Sequence, residues 1–490
     1  MNILFIASEA YPLIKTGGLA DVAGSLPRAL LKRKHSVRLV LPAYPQVLAA
    51  AEEQGLKSLG ELTLGDQTVT LWQTRLPGTR VPVWLVDIPE FSQRQGNPYL
   101  NEEGKDWPDN DRRFYRFCQT AVELAMGRAG IAWRADVVHA NDWQAGMACM
   151  LLDREAQRPA TVFTVHNLAY HGLFPSHSMV ELNLPGHLWS HELLEFHNQL
   201  SFIKGGLVFA DRVNTVSPSY AQEIQTPEFG CGLDGLLRAR QTQLSGILNG
   251  IDTDQWHPGR DPHLAQNYNW RQLDRKTINK QALQKKLDLP ERADKPLLGF
   301  IGRMVEQKGL DLIVALLPKL LAEGQCQFAI LGSGMARYQD TLKRLATQYP
   351  EQLALTLGYD ESLAHQIEAG CDLFLMPSLF EPCGLNQMYS LRYGTLPLVH
   401  SVGGLKDTVF DPGPLSEANE LTERANGFCF QAPRAEAMQE ALERALAYYQ
   451  QPQLWRQIQT NAMRGDYSWE RSAEEYEKLY QKAIEESRPA

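Results

Sequence analysis

Two cations, Arg303 and Lys308, follow the buried run LLGFIG in the segment FIGRMVEQKGLDLI, just before a predicted helix that begins near Lys308. A flexible loop of this length can bring both side chains onto one diphosphate, where cations stabilise the negative charge of a departing nucleotide. An isolated surface pair of this kind would simply be solvated. The position after a buried strand, with Gly302 and Gly309 alongside, favours diphosphate binding.

The carboxylate of Glu381 stands in the most informative segment, PSLFEPCGLNQMYSLRYGTLPLV. Pro382 is a residue type found at helix starts, so the backbone N–H groups of Gly384 and Leu385 are predicted at a helix N-terminus, where anions bind. Glu381 would then meet sugar hydroxyls or a developing positive centre. A carboxylate that only caps the helix explains the segment about equally well.

The opening motif KTGGLADV places Lys15, the glycine pair Gly17 and Gly18, and Asp21 directly after the first apolar run. It matches neither a Walker loop nor a dinucleotide fingerprint. Paired glycines need only a tight turn, and SVGGLKDTV at 401–409 repeats the pattern. We interpret the opening motif as half of a phosphate site, with the principal phosphate-binding groups in the second half of the chain.

His166 directly follows the run ATVFTV, and Asp142 is the second residue after the run DVVHA. A carboxylate in this position can bind sugar hydroxyls, whereas the neighbouring indole of Trp143 more often packs in a core. A lone histidine is more often structural than catalytic, and His171 is a competing candidate. His166 is favoured because it stands at a strand end, like the other candidates.

Short runs rich in Val, Ile, Leu and Phe alternate with amphipathic segments of helical length, which indicates parallel strands buried on both faces. In the first half the predicted strands are NILFIA, SVRLVLP, VPVWLVD, DVVHAND, ATVFTVH and DRVNTVS; in the second they are LSGILNG, PLLGFIG, QFAILGS, LALTLGY, DLFLMPS and TLPLVHS. The fold class is therefore α/β, with two doubly wound units in tandem. Such sheets bind ligands at the carboxyl ends of their strands.

The domain boundary is predicted near Gly250, where a polar, proline-containing stretch begins. We expect an N-terminal domain of residues 1–249 and a C-terminal domain of residues 250–467. The amphipathic segment 468–490 is expected to form a helix that crosses back onto the first domain.

The chain has 490 residues, a net charge of −9 and seven scattered cysteines without a CxxC pair. The acidic balance argues against a nucleic-acid partner. The cysteine pattern indicates a reducing compartment and no structural zinc. Because no targeting segment or apolar membrane span is evident, we expect a soluble cytoplasmic protein with no membrane partner.

Eight motifs together resemble those of bacterial glycogen synthases and plant starch synthases: KTGGLADV, HANDWQA, TVHNLAYHG, VNTVSPSYAQEIQTPEFGCGLDGLL, LNGID, GRMVEQKGLDL, FEPCGLNQMY and GGLKDTV. The resemblance runs from Ile3 to the final helix. It implies the GT-B glycosyltransferase architecture, two facing Rossmann-like domains with a deep cleft between them, the first on the acceptor side and the second binding the nucleotide sugar. It also implies transfer of glucose from ADP-glucose, or another nucleoside diphosphate glucose, to the non-reducing end of an α-1,4-glucan such as glycogen. Anomeric configuration would be retained, with no metal and no cofactor besides the donor.

The resemblance also implies a role for each matching residue. Lys15 would face the diphosphate and acceptor, Asp142 and His166 would line the glucose pocket, and Glu381 would contact the transferred glucose. Tyr359 would stack on the base. The predicted catalytic residues are Glu381, His166, Asp142, Lys308 and Arg303; the predicted substrate-binding residues are Lys15, Gly17, Gly18, Asp21, Tyr99, Asn249, Tyr359, Gly384, Leu385 and Asn386.

The sequence departs from the family pattern at three places. Asn141 replaces a frequent histidine, His400 with its two successors replaces basic residues and threonine, and Tyr389 stands where the wider superfamily often has a second glutamate. A single carboxylate at the expected strand end suits same-face substitution better than the two-carboxylate scheme of retaining glycosidases.

Three other functions remain open on the sequence. The chain could be a related transferase that acts on a small acceptor, or a non-catalytic glucan-binding relative, although intact Arg303, Lys308 and Glu381 speak against the latter. A nicotinamide-dependent oxidoreductase is disfavoured because no GxGxxG follows the first strand.

Overall fold

The computed structural model describes residues 1–417 and 424–487. It divides the chain into two compact units. The first contains residues 1–250 together with the C-terminal segment that begins at Trp469, and the second contains residues Ile251–Ser468. The predicted segment 468–490 is helical over Trp469–Ser487, and its last three positions lie outside the described residues.

The first unit is built on a nine-stranded, mostly parallel sheet. Its strands, with those of a small antiparallel sheet, are β1 (Asn2–Ile6), β2 (Ser36–Pro42), β3 (Lys57–Leu64), β4 (Gln67–Arg75), β5 (Pro82–Asp87), β6 (Val137–Asn141), β7 (Ala160–Val165), β8 (Leu173–Pro175), β9 (Glu195–Phe196), β10 (Gln199–Ser201), β11 (Arg212–Thr215) and β12 (Leu244–Gly246). The large sheet has the order β12-β11-β7-β6-β1-β2-β5-β4-β3, and β8, β10 and β9 form the small one. Only β3, β4 and β5 pair antiparallel in the large sheet.

Within the described part of the chain, the α-helices that connect these strands are α1 (Gly18–Lys32), α2 (Pro45–Gln54), α3 (Pro89–Ser92), α4 (Asn110–Ala125), α5 (Asp142–Asp153), α6 (Ser178–Glu181), α7 (Phe202–Phe209), α8 (Pro218–Glu223) and α9 (Asp234–Ala239). The central strands are almost wholly buried, β7 at every position and β1 at every position but its first, because helices cover both faces. The burial of these strands holds in place the C-terminal strand ends, which the candidate residues follow.

The second unit has a six-stranded, wholly parallel sheet in the order β15-β14-β13-β16-β17-β18. Its strands are β13 (Leu297–Ile301), β14 (Gln327–Gly332), β15 (Leu353–Leu357), β16 (Leu373–Met376), β17 (Leu396–His400) and β18 (Phe428–Phe430). Its helices are α10 (Lys276–Lys286), α11 (Leu310–Glu323), α12 (Ala336–Gln348), α13 (Glu361–Gly370), α14 (Asn386–Tyr393), α15 (Gly403–Thr408), α16 (Ala435–Tyr449) and α17 (Pro452–Arg464). The helix Trp469–Ser487 (α18) belongs to the first unit and packs on α1, β6 and β7.

One mostly parallel sheet and one wholly parallel sheet, each covered by helices, confirm the predicted α/β fold class, with one strand misassigned. The run LSGILNG was grouped with the second set of strands, but β12 pairs with β11 at the edge of the first sheet. That prediction was wrong because an apolar run does not itself reveal which sheet it joins. Within the described residues, no helix has both the length and the apolar character that a membrane crossing requires.

Candidate active site

The first group of candidate residues lies where β1 and β6 are neighbours in the first sheet. The chain continues from β1 to β2 on one side, whereas β6 leads to β7 on the other. Loops that follow two such strands diverge and leave a crevice at their carboxyl ends, the usual ligand site of a doubly wound sheet. Residues 7–17 follow β1, and Asp142 follows β6 directly.

Glu9, which sequence reasoning did not single out, organises the loop between β1 and α1. Its Oε2 accepts hydrogen bonds from the backbone N–H of Thr16, from the Thr16 hydroxyl at 2.8 Å and from the N–H of Gly17 at 3.2 Å. Burial raises the pKa of the Glu9 carboxyl. The sequence signal that could have indicated Glu9 is an acidic residue placed between a buried strand and a glycine pair. The backbone N–H of Gly17 is therefore already hydrogen-bonded within the protein, to Glu9.

Lys15 and Asp21 form an ion pair, with Lys15 Nζ 2.7 Å from Asp21 Oδ1. Asp21 lies in the first turn of α1, where a carboxylate also interacts favourably with the helix dipole. The structure thus brings these two predicted residues together beside Gly18, the first residue of the helix.

Tyr99 also reaches the end of β1, because its hydroxyl lies 2.8 Å from Ser8 Oγ. The loop that carries it is held from α4. Asn110 Nδ2 donates to the Tyr99 carbonyl at 3.1 Å, and the Arg113 guanidinium donates to the carbonyl of Pro98. Burial keeps the pKa of Tyr99 well above its usual value, so the phenol stays protonated at neutral pH.

Asp142 and His166 join the ends of β6 and β7. Asp142 Oδ1 accepts the backbone N–H of His166 at 2.7 Å, and Nε2 of the His166 ring lies 2.9 Å from Asn141 Oδ1. Burial, with a smaller contribution from the nearby Glu9 charge, raises the pKa of Asp142 to about 7. Burial lowers the pKa of His166 to about 3, so its ring is neutral at pH 7.

The second group lies at the corresponding switch point of the second sheet, between the neighbouring strands β13 and β16. Lys308, from the loop after β13, places Nζ 2.6 Å from Oε2 of Glu381, which follows β16. The Ser378 hydroxyl donates to the same oxygen at 3.0 Å. The two loops are tightly packed, since a Cβ on Gly309 would lie 2.0 Å from the Pro377 carbonyl oxygen.

The helix after Glu381 begins at Asn386, not near Pro382 as expected. Gly384 has φ +74°, a left-handed conformation that interrupts helical geometry before the first turn. Asn386 is in the first turn, but its side-chain amide donates to the carbonyl of Ile301 at 2.9 Å. The backbone N–H groups of Gly384 and Leu385 therefore lie just before the first turn of the helix, and that of Asn386 lies in it.

Gly403 and Gly404, the second glycine pair, pack against the backbone of the loop that carries Glu381. The N–H of Gly404 donates to the Glu381 carbonyl at 3.1 Å. A Cβ on Gly403 would lie 2.0 Å from that carbonyl oxygen, and a Cβ on Gly404 would lie 2.1 Å from the Cys383 carbonyl oxygen. These glycines permit the close approach of two backbone segments, consistent with the tight-turn interpretation.

Three further predicted residues follow β13, β15 and β12, and the first of them, Arg303, shares its loop with Lys308. Arg303 is exposed after β13, and Tyr359 is 77% exposed after β15, which β14 separates from β13. Asn249 is buried after β12, at the edge of the first sheet and three strands away from β6. Within the described residues, no cluster of three or more His, Cys, Asp or Glu side chains could hold a metal ion.

Comparison with known proteins identifies the family of this chain. A model described as the starch synthase catalytic domain matches residues 2–239, and one described as glycosyl transferases group 1 matches residues 281–462. A glycogen synthase of Cellvibrio japonicus is 62% identical over 98% of both chains. The chain belongs to the glycogen and starch synthase family. It is a glycosyltransferase.

Other proteins similar to this chain support the same family assignment. A glycogen synthase of Marinobacter nauticus is 54% identical and covers 99% of this chain and 98% of its own. The catalytic domain of starch synthase IV from Arabidopsis thaliana, solved bound to ADP and acarbose, has a TM-score of 0.86 and 33% identity over 99% of both chains. This match confirms the expected GT-B class. A sucrose-phosphate synthase of Thermosynechococcus elongatus, at 16% identity and a TM-score of 0.61 over 99% of this chain and 100% of its own, shares the fold.

Proposed function

We propose that this chain transfers glucose from ADP-glucose to the non-reducing end of an α-1,4-glucan and retains the configuration at the anomeric carbon. Membership of the family supports a nucleotide-sugar donor and a glucan acceptor, and the ADP in the Arabidopsis structure supports adenine as the donor base. The observation that carries the proposal is the Lys308–Glu381 ion pair at the switch point of the second sheet.

In the second unit, we assign Lys308 and Arg303 to the diphosphate. Both follow β13, and the exposed Arg303 guanidinium can form a bidentate contact with phosphate oxygens. The N–H groups of Gly384 and Leu385 precede α14, where the helix dipole favours an anion. The exposed ring of Tyr359 is assigned to the adenine, because aromatic side chains stack on bases.

In the first unit, we assign Asp142, His166 and Tyr99 to the transferred glucose, because they gather at the carboxyl ends of β1, β6 and β7. Lys15 is assigned to the diphosphate and acceptor. Gly18 is preferred over Gly17 as the phosphate-binding N–H, because Gly17 donates to Glu9.

The proposed reaction is a same-face substitution. The bond between the anomeric carbon and the phosphate oxygen breaks, and ADP leaves with both electrons. The acceptor 4-hydroxyl approaches from the face that ADP leaves, gives its proton to the departing phosphate oxygen and forms the new glycosidic bond. Lys308 and Arg303 stabilise the leaving anion, and the Glu381 carboxylate stabilises the oxocarbenium-like centre.

The decisive experiment compares ADP-glucose with UDP-glucose, each with glycogen as acceptor. We expect faster transfer from ADP-glucose, α-1,4 linkages in the product by NMR and no loss of rate in EDTA. Transfer only to a small sugar, or no transfer with either donor, would overturn the proposal. A cytoplasmic location is part of the same proposal and is checked by fractionation of cells.

A further inference from the structure

The side-chain amide of Asn141, the last residue of β6, is held in one orientation by its hydrogen bonds. Its side chain is 0% exposed, and Nδ2 donates to the carbonyl oxygens of Ile6 at 3.0 Å and His139 at 3.3 Å. Rotation of the amide by 180° would place Oδ1 against these two oxygens, both of which only accept hydrogen bonds. The amide oxygen therefore faces the ring of His166.

The amide oxygen decides the tautomer of His166. Nε2 of the ring lies 2.9 Å from Asn141 Oδ1, and since an amide oxygen only accepts, Nε2 must carry the hydrogen. The ring is 9% exposed and neutral at pH 7, as its lowered pKa requires. In a neutral ring with a hydrogen on Nε2, Nδ1 holds a lone pair. Among residues 1–417 and 424–487, no hydrogen bond occupies Nδ1 of His166.

We propose that Asn141 is a positioning residue that presents His166 to the sugar as a hydrogen-bond acceptor through Nδ1. The inference rests on the proposed function for the identity of the ligand, a hydroxyl group of the sugar, but not for the tautomer. Its chemical consequence is that His166 neither protonates the substrate nor contributes positive charge. A hydroxyl that donates to Nδ1 is selected over a group that can only accept.

The surroundings of the ring support a neutral acceptor. Asp142 accepts the backbone N–H of His166, not a ring N–H, and burial alone accounts for the lowered pKa of His166. His139, which precedes Asn141 by two residues, is buried with its pKa well below the usual value and is therefore neutral. No carboxylate therefore holds a proton on the His166 ring.

The first test reads the tautomer directly in the ligand-free, full-length protein labelled with ¹⁵N-histidine. His166→Gln assigns the signals by their disappearance. We expect a protonated Nε2 and an unprotonated Nδ1 that do not titrate between pH 5.5 and 8. In Asn141→Leu, which removes the acceptor, we expect a mixture of tautomers. A hydrogen on Nδ1 in the native chain, or unchanged signals in Asn141→Leu, would overturn the proposal.

The second test uses the pH profile of transfer. In Asn141→Asp, one carboxylate oxygen faces Nε2, holds the ring protonated at low pH and converts Nδ1 into a donor. The other oxygen replaces Nδ2 and loses its hydrogen bonds to Ile6 and His139, so the melting temperature is measured alongside and rates are compared only where the variant is folded. We expect kcat/KM at pH 6 to fall about tenfold relative to the native chain and to recover as the pH rises, an effect about as large as one hydrogen bond. The control Asn279→Asp makes the same exchange at a buried amide of α10 and leaves the profile unchanged.

The two proposals fail in different ways. If the native chain transfers no glucose but Nε2 carries the hydrogen, the proposed function is wrong and the tautomer assignment stands. If transfer occurs and the profile of Asn141→Asp is parallel to that of the native chain, the positioning role of Asn141 is wrong.

Discussion

The Lys308–Glu381 ion pair places a cation and a carboxylate within 2.6 Å of each other at the proposed reactive centre. Lys308→Gln removes the charge that stabilises the leaving diphosphate but keeps most of the side-chain volume. We expect the rate of transfer from ADP-glucose to fall about 100- to 1000-fold, the usual cost of one preorganised electrostatic group. Lys319→Gln, on the exposed face of α11, should leave the rate unchanged. Equal rates for both variants would contradict the assignment.

Asp142 gives the stability of the first unit a defined pH dependence. Its pKa is about 7 in the folded chain and lies near 3.8 when unperturbed, so between these values the folded state binds the extra proton. The contribution of this group to the free energy of unfolding therefore falls as the pH rises from about 4 to about 7 and is constant above that. Asp142→Asn should make this slope smaller in a series of urea denaturation experiments, by the share that Asp142 contributes. A slope as steep in the variant as in the native chain would refute the elevated pKa.

The contrast between Lys308 and Glu9 shows how far residue types alone define the site. Lys308 and Glu381 were predictable because each follows a buried apolar run, and the sheet order brings their loops together. The role of Glu9 was not predictable, because it depends on which backbone N–H groups donate to its carboxylate. Those contacts arise from the path of the loop after β1, which residue spacing does not define.

At the scale of elements, α15 acts on the site through its backbone. Gly404→Ala would place a Cβ 2.1 Å from the Cys383 carbonyl oxygen, which forces the Glu381 loop away from the N-terminus of α15. We expect the transfer rate to fall at least tenfold, with a lower melting temperature as well. Gly186→Ala, where nothing lies within 4 Å of the added Cβ, is the matched control. Normal transfer by Gly404→Ala would show that the close packing is dispensable.

The buried strands were predictable from sequence, whereas the edges of the sheets were not. Apolar runs such as β1, β7 and β14 are continuous because helices cover both faces. The antiparallel strands β3 and β4 were missed, since β3 is largely exposed and has polar residues on both faces. The three-residue strand β18 is too short for its composition to distinguish it from a loop.

At the scale of the whole molecule, the helix α18 completes the first unit although it lies at the end of the chain. Tyr480 is fully buried, and its hydroxyl lies 2.8 Å from Nδ1 of His139 in β6. Tyr480→Phe leaves that nitrogen without a partner, so we expect a loss of about 1–3 kcal/mol in the free energy of unfolding by urea. Lys482→Ala, on the exposed face of the same helix, should have little effect. A stability loss no larger than that of Lys482→Ala would contradict this role.

Because α18 is a late segment of an early unit, order of synthesis and order of folding differ in this chain. Residues 1–250 leave the ribosome first, yet the surface of α1, β6 and β7 that α18 covers stays bare until residues 469–487 have been made. Domains usually fold in the order of their synthesis, N-terminal first. Here the second unit, Ile251–Ser468, is continuous in sequence and is available to fold before the first unit is complete. A growing chain therefore completes the packing of its first unit only after its second unit has been made.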